Sequence, residues 1–542
     1  MGAVPYEEAI ALTGTGRFHL LLLIISGSTI TCTTSEILGP SYLLPAAACD
    51  LRMSDLDKGV LGAIVYIGMI FGSHFWGYLA DTAGRRNVIR VTLFADAVVA
   101  LLSAFAPNYA ALVTLKFLSG FFMTAPQAVA YAYLGEFHSP DNRARAFVWA
   151  GVFPAIGLLL LPAMGWLVLP QPWAVSLPLV GEAHAWRLYV VLCGLPSFLT
   201  AVGFCFLPES PKYLLGQGRD QEALAVLQKV FRVNSGRPAH EYPVTALLPA
   251  TSDAGAKKLA DAEASGTAAD PASRPAGVRA VLRSVWQQTA PLFTLEHALS
   301  TFLALFIMFG IIAGANGLPT WLPELFNRMA LWEGEHPGAS TSICGSVEGL
   351  LHRDGAAAGN ASSSLARLLR TTRSPSAAFP ARRALDPGAC VATVEEAVFV
   401  NNLYLGVAAL LAPVLSVYCV VPLGKRNLLI LSLFLTGACG VALDLVRSSL
   451  AFMALSCIVV AVTEMCISLF SSVVVDLFPT HLRAMAVSLS LMCGRMGSIA
   501  GNFMFGALLE NVCPVTFYAL GGVLLVCTAL ACALPRRGKF GD

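Results

Sequence analysis

The decapeptide Gly77-Tyr78-Leu79-Ala80-Asp81-Thr82-Ala83-Gly84-Arg85-Arg86 separates two apolar runs, residues 58–80 and 88–107. Each run is close to the 20 or so residues that a helix needs to cross the hydrocarbon core of a bilayer. The glycines permit a tight turn between two helix ends. Asp81 can accept hydrogen bonds from a helix N-terminus and can pair with an arginine. Arg85 and Arg86 mark the side of a membrane that is not translocated. A plain positively charged turn would account for these arginines, but not for Gly77, Gly84 or Asp81.

The rest of the chain repeats the pattern. Of 542 residues, 56% are hydrophobic and 13% charged, with a mean hydropathy of +0.69. A soluble domain carries roughly 25% charged residues, so a chain with half that share cannot coat a soluble particle of this size. Apolar spans are predicted at 18–46, 58–80, 88–107, 109–133, 146–169 and 187–207, and again at 294–322, 398–421, 427–446, 450–476, 484–509 and 514–534. The organisation expected is a six-helix bundle over 1–207, a central loop over 208–290 and a second bundle over 291–542. Glu36 interrupts the first span, which is too long for a signal peptide. The net charge of +2 gives no basic stripe for nucleic acid. No zinc-ligand spacing, phosphate loop or strand-borne nucleophile motif is found, so no cofactor and no enzyme chemistry are expected.

Lys and Arg set the orientation. Arg85, Arg86 and Arg90 follow span 2, Arg143 and Arg145 follow span 4, and Lys425 and Arg426 follow span 8. Arg483 follows span 10, and Arg536, Arg537 and Lys539 lie near the last residue. All fall on one side if the spans number twelve, which predicts both termini in the cytosol. In the central loop, Asp220 followed by Ala223, Leu224, Leu227, Val230 and Phe231 predicts a capped amphipathic helix. The Ala/Asp/Ser/Pro-rich stretch 245–276 is expected to be disordered. A long segment, 323–397, falls on the outer or luminal side; its seven arginines do not overturn the topology, because long loops translocate largely regardless of charge.

Most of the fourteen cysteines sit singly in apolar runs and behave as small hydrophobes. Cys344 and Cys390 differ, because both lie in the outer loop, which is oxidising if the topology holds. Pairing them would stabilise the loop by about 4 kcal/mol in the chain-entropy model. Asn360-Ala361-Ser362 in the same loop is a glycosylation acceptor.

The stretch 77–86 resembles the signature loop of the major facilitator superfamily. That resemblance implies an all-α membrane protein of twelve helices in two six-helix bundles, with Gly77, Asp81, Gly84, Arg85 and Arg86 latching the cytosolic side of the halves in an outward-facing state. Pro208-Glu209-Ser210-Pro211-Lys212-Tyr213-Leu214 after span 6 is similar to sugar and organic-ion porters. The run from Lys58 to Met69, with the outer loop between spans 7 and 8, resembles the synaptic vesicle glycoprotein 2 group. The motifs are strong in the first half and weak in the second: the repeat of the signature loop, Val421-Pro422-Leu423-Gly424-Lys425-Arg426, lacks an aspartate, so a weaker or absent second latch is expected. Where that group tends to carry two acidic residues in span 1 and an arginine in span 4, this chain has Glu36 alone and Lys116.

Charges inside spans are costly, roughly 2.5–3.5 kcal/mol each on insertion scales, and therefore point to function. They are Glu36, His74, Asp96, Lys116, Asp444, Glu464 and Arg495, with Glu296 and His297 at the start of span 7. By resemblance, spans 1, 4, 7 and 10 line a central cavity, which places Glu36, Lys116 and Glu464 first for substrate contact or proton coupling. Gln127, Asn316 and Tyr66 could support them. The bland alternative is that Glu36 and Lys116 neutralise each other across the bundle and fix helix register. Asp96 and Asp444 fall on peripheral spans and read as structural, and Arg495 could face the cytosolic gate. Gly68 with Gly72, and Gly497 with Gly501, permit close helix approach and are expected to let spans 2 and 11 slide between the halves. Glu136 with Arg143, and Asp476 with Arg483, form an internal repeat, 136–144 and 476–484, at the cytosolic face.

The function expected is secondary active transport of a small organic solute, with protons as the coupling ion and Glu36 or Glu464 titrating. The alternative is a membrane regulator or binding protein that keeps the transporter fold and acts through its loops. The partners expected are the solute, protons and the lipid bilayer, with no nucleic acid and with the chain acting as a monomer.

Overall fold

A computed structural model of the chain describes residues 3–171, 174–177, 181–248, 289–295, 297–337, 341–349, 394–479 and 482–534. The first half contains α1 (Tyr6–Leu12), α2 (Arg17–Ala46), α3 (Ala48–Leu51), α4 (Asp55–Ala83), α5 (Arg85–Ala104), α6 (Tyr109–Glu136), α7 (Pro140–Ala150), α8 (Phe153–Val168) and α9 (Ala185–Phe206). Then come α10 (Pro211–Gly216) and α11 (Asp220–Ser235). The second half contains α12 (Ala298–Glu335), α13 (343–349), α14 (Glu396–Leu423), α15 (Lys425–Leu445), α16 (Ser449–Leu477), α17 (Arg483–Leu508) and α18 (Cys513–Ala533). Among the described residues, eleven helical stretches, with α7 and α8 taken together, are long and apolar enough to cross a bilayer. The continuous 26-residue α17, which carries Arg495 in its interior, is the twelfth long helix among the described residues.

Local sequence sets the helix ends. Ser54 and Asp57 form a reciprocal capping box at the start of α4, which satisfies two of the orphan N–H groups there. At the other end, Gly84 has φ +98°, a value closed to most side chains, and Gly424 at the end of α14 has φ +73°. The fifth span is not one helix: α7 ends at Gly151 and α8 restarts with Pro154 in its first turn. The seventh runs thirteen residues past its expected end at 322, with Pro319 and Pro323 both inside α12.

The apolar core is divided unevenly. At the end opposite the termini, Leu43, Tyr42 and Trp186 of the first half and Trp321, Phe399, Phe505 and Phe517 of the second belong to one continuous cluster. At the arginine-rich end the bundle has two clusters, each with its buried members drawn from one half, around Tyr133 and Phe204 and around Phe470 and Leu429. The halves are thus packed together at one end of the molecule and separately cored at the other.

The central segment is more structured than expected. Strand β1 (Ala3–Val4) pairs in parallel with β4 (Ala246–Leu247), and Val4, Ile10, Leu214, Leu227, Tyr242 and Val244 form a small core that joins α1, α10 and α11. Two of the residues expected to be disordered, Ala246 and Leu247, are therefore in a strand; 249–276 lie outside the described residues. The amphipathic helix is present as α11, with Ala223, Leu227 and Val230 buried, but Arg219 rather than Asp220 occupies its N-cap position, and no side chain caps it. A hairpin of β2 (Ala174–Leu177) and β3 (Gly181–His184) links α8 to α9.

The disulfide expected between Cys344 and Cys390 is corrected. Cys344, in α13, is bonded to Cys513 at the first residue of α18, with Cα atoms 5.5 Å apart. The α13 segment folds back over the second half, where Ile343, Cys344 and Val347 are buried. Cys49 is also disulfide-bonded. Cys390 and the acceptor Asn360 lie outside the described residues.

Candidate functional site

Three polar clusters lie within the bundle. The first is confined to the first half. Lys116 Nζ is 2.8 Å from Glu36 Oε2, and these side chains are 2% and 0% exposed. Ser119 Oγ lies 2.8 Å from the same Glu36 oxygen and 2.6 Å from Asp96 Oδ1, and Ser197 donates to Asp96 Oδ2 at 2.8 Å. Glu36 and Lys116 are thus sealed in mutual neutralisation, and Asp96, expected to be structural, shares their network.

The second cluster lies between the halves. Arg495 Nη2 of α17 donates to Gln127 Oε1 of α6 at 2.9 Å, and its Nη1 approaches the Met69 carbonyl of α4 at 3.4 Å. One turn along α17, Ser498 accepts from Asn316 Nδ2 of α12 at 2.9 Å and faces Tyr66 of α4. Tyr66 is buried, and its hydroxyl has no hydrogen-bond partner in bonding geometry. Glu464 of α16 is near enough to act electrostatically on Tyr66; among the described residues its carboxyl has no ion-pair or hydrogen-bond partner. Gln127, Asn316, Glu464 and Arg495 are all half-buried while lying inside the bundle, which is the accessibility of groups lining an interior space. An unsatisfied tyrosine hydroxyl, a lone carboxyl and an amide–guanidinium bridge form a set of donors and acceptors suited to a polar ligand.

The third cluster was not foreseen. Lys58 of α4 bonds Glu324 of α12 at 2.6 Å and Asp55 at 3.1 Å; Arg328 bonds Glu324 at 2.9 Å and Asp55 at 2.6 Å. Two carboxylates and two cations balance, and Glu510 stands at the rim, close to Asp55. The sequence carried one available signal: Glu324 and Arg328 are one helical turn apart. Ending span 7 at 322 put them in a loop instead.

Glycines allow the close crossing beside this ladder. A Cβ on Gly59 would lie 2.9 Å from the Asn502 carbonyl oxygen, and one on Gly506 would lie 2.8 Å from that of Asp55. The pairs expected at this crossing do something else. Gly68 and Gly72 let α4 approach the α6 backbone at Phe117 and Phe121, and Gly497 and Gly501 let α17 approach α12 at Phe309 and Ala313, each within its own half.

At the arginine-rich end the two halves carry matching devices. Arg85 pairs with Glu136, and Lys425 pairs with Asp476 at 3.2 Å. Arg86 donates to the Phe204 and Cys205 carbonyls at the end of α9, and Arg426 donates to the Cys532 carbonyl at the end of α18. The second signature loop thus keeps an ion pair without the aspartate. Asp81 is 75% exposed and lies 3.8 Å from Arg85, and Gly77 leaves open space for a Cβ. Arg143 bonds the Gly135 carbonyl and Glu7, and Arg483 bonds the Phe478 carbonyl, so neither arginine pairs with the acidic residue seven positions before it. Asp444 accepts from Tyr518 at 2.9 Å, and His297 lies against Phe478. Glu296 and the His74 side chain lie outside what is described.

The sugar (and other) transporter family matches residues 31–242, and the major facilitator superfamily matches residues 374–540. Between them the two matches fall on both halves, and the chain has the major facilitator fold. Human synaptic vesicle glycoprotein 2B is 29% identical over 367 residues, covering 65% of this chain and 53% of that protein. Bovine synaptic vesicle glycoprotein 2A is 29% identical over 342 residues, covering 60% and 44%. The chain spans about half the length of the curated relatives it matches. The E. coli xylose transporter XylE in its inward-open conformation aligns with a TM-score of 0.62 at 14% identity, covering 96% of this chain and 97% of XylE. Its partially occluded inward-open form gives 0.61 at 12%, covering 96% and 100%. At this identity the likeness shows the fold. The chain therefore has two helical bundles, with two of the three polar clusters at their junction and the Glu36–Lys116 cluster inside the first.

Proposed function

We propose that this chain is a secondary active transporter that moves a small polar organic solute by alternating access of its two halves. One observation carries the reading: α4, α6, α12, α16 and α17 bring a buried Tyr66 and the half-buried Gln127, Asn316, Glu464 and Arg495 together between the halves, positions that cost energy unless they face a ligand or water. The match to the sugar transporter family supports it. The Lys/Arg bias favours cytosolic termini, which puts the ladder of Lys58 and Glu324 on the outer side. In the orientation so assigned, the molecule is sealed outside and separately cored at the cytosolic end, the arrangement of an inward-facing carrier. Protons are the proposed coupling ion, and Glu464 the group that exchanges them, because it has no counterion while Glu36 is held by Lys116.

The test is reconstitution of the full chain in vesicles, with flux of candidate sugars, organic cations and organic anions measured with and without a pH gradient. Gradient-dependent flux lost in Glu464→Gln supports the coupling; equal flux under both conditions removes the proton. The likeness to synaptic vesicle glycoproteins favours a second reading, a membrane regulator with a transporter fold. Absence of flux for every solute, with a ligand still raising the melting temperature, would select it.

A further inference from the structure

The sealed cluster of the first half has a proton count that ionised carboxylates cannot satisfy. Glu36, Asp96, Ser119 and Ser197 are each 0% exposed, and Lys116 is 2% exposed. A serine hydroxyl carries one hydrogen, and an ionised carboxylate only accepts. Ser119 Oγ nevertheless sits at hydrogen-bond distance from two carboxyl oxygens, 2.8 Å from Glu36 Oε2 and 2.6 Å from Asp96 Oδ1. It can donate across one of these contacts. The other needs a hydrogen supplied by the carboxyl.

Charge gives the same count. The groups facing the cluster are Glu36 and Cys32 from α2, Asp96 from α5, Lys116 from α6, and Cys193 and Tyr189 from α9. Among the described residues Lys116 is the one cation there, so two ionised carboxylates would leave an uncompensated buried negative charge, which desolvation makes costly. The outer ladder, with two carboxylates and two cations, has no such excess.

Geometry decides which carboxyl holds the hydrogen. Glu36 Oε2 accepts from the Lys116 ammonium at 2.8 Å, so a proton there would discard the ion pair. Glu36 Oε1 has no hydrogen-bond partner, so a proton there would have no acceptor. Asp96 Oδ1 faces Ser119 with no cation against it, while Ser197 donates to Oδ2. We propose that Asp96 is a resident carboxylic acid, holding a proton that it donates to Ser119, which in turn donates to Glu36 and leaves Glu36 and Lys116 a neutral pair. Asp96 is then a positioning residue: it aligns Ser119 on Glu36 and keeps the first half electrically closed. The proposal rests on the fold and requires no assumption about transport.

Infrared spectroscopy of the purified full chain at pH 7 tests it. The difference spectrum between the unaltered protein and Asp96→Asn should show the loss of one carboxylic-acid C=O band. That band should shift in protein labelled with side-chain 13C-aspartate and stay in place with 13C-glutamate. No lost band, or a band that moves with the glutamate label, overturns the proposal. Asparagine can donate to Ser119 and accept from Ser197, so the variant should fold. Ser119→Ala gives a second reading that does not depend on it: the aspartate-labelled band moves to higher frequency as its acceptor is removed, and an unmoved band overturns the assignment.

Discussion

Lys58 and Glu324 belong to opposite halves of the molecule, and their charged atoms are 2.6 Å apart with side chains only 8% and 6% exposed. The pair is one rung of a ladder that Asp55 and Arg328 complete. Its burial means that breaking one member leaves a partner charge without compensation, whereas removing matched members does not. The pair therefore holds the halves together specifically at one end.

Lys58→Met is expected to cost about 3 kcal/mol, the low end of what a broken buried pair costs. The double variant Lys58→Met/Glu324→Met should recover part of that loss. A double-mutant cycle on thermal unfolding in detergent reads the coupling; additive effects would show that the two side chains do not act as a pair.

At the crossing beside the ladder, Gly506→Val should push α4 and α17 apart, because even a Cβ would stand 2.8 Å from the Asp55 carbonyl oxygen and 3.0 Å from Gly59 Cα. Overpacking of this kind costs about 1–3 kcal/mol. A cysteine placed at Gly62 should be labelled faster by a membrane-impermeant thiol reagent in the Gly506→Val background. An unchanged labelling rate would place the seal elsewhere.

The Cys344–Cys513 bond spans 169 residues of chain. Its removal by Cys513→Ser should cost about 2–5 kcal/mol, as loss of a long-loop crosslink does. Mass mapping of non-reduced peptides should recover Cys344 joined to Cys513; recovery of Cys344 joined to Cys390 would reject the pairing.

Between α6 and α7, burial pushes the His138 imidazole below its ordinary value of 6.5, with His19 and Arg143 adding to the shift. The ring bonds the Leu134 carbonyl and stacks edge-on against His19. Because the unfolded chain takes up this proton more readily than the folded one, stability is full above about pH 6.5 and falls as pH drops towards the lower folded value. His138→Gln should flatten that decline in a melting series from pH 8 to pH 5. An equal slope in both proteins would assign the decline to other groups.

Arg495→Ala removes the charged donor that engages Gln127 at the junction; a hydrogen bond from such a group to solute is worth about 1.5–3 kcal/mol. If the junction binds solute, apparent affinity should weaken by about one to two powers of ten. Binding unchanged in the variant would move the site away from Arg495.

Much of the site was legible as residue types but not as contacts. Hydropathy found Glu36, Lys116, Gln127, Glu464 and Arg495 because a charge or amide within an apolar run stands out whatever its surroundings. It could not tell that Glu36 is sealed against Lys116 while Glu464 stands alone, since that depends on the rotation of four helices about their axes. Gly68 and Gly72 announced a close approach, but not that α6 rather than α17 is the neighbour. Glu324 and Arg328 were missed because Pro323 looks like a helix end locally, and packing inside the bundle keeps α12 continuous through it.

Twelve spans, the turn at 77–86, the charge bias between the two ends and the fold could be read from the residues alone, because the bilayer imposes a length and a polarity that act one residue at a time. Which charges pair, which cysteine meets Cys344, and that the halves are joined at one end and separately cored at the other emerge only from the folded chain. Those outcomes depend on atoms far apart in the chain brought within a few ångströms, a distance that hydropathy along a single helix does not encode.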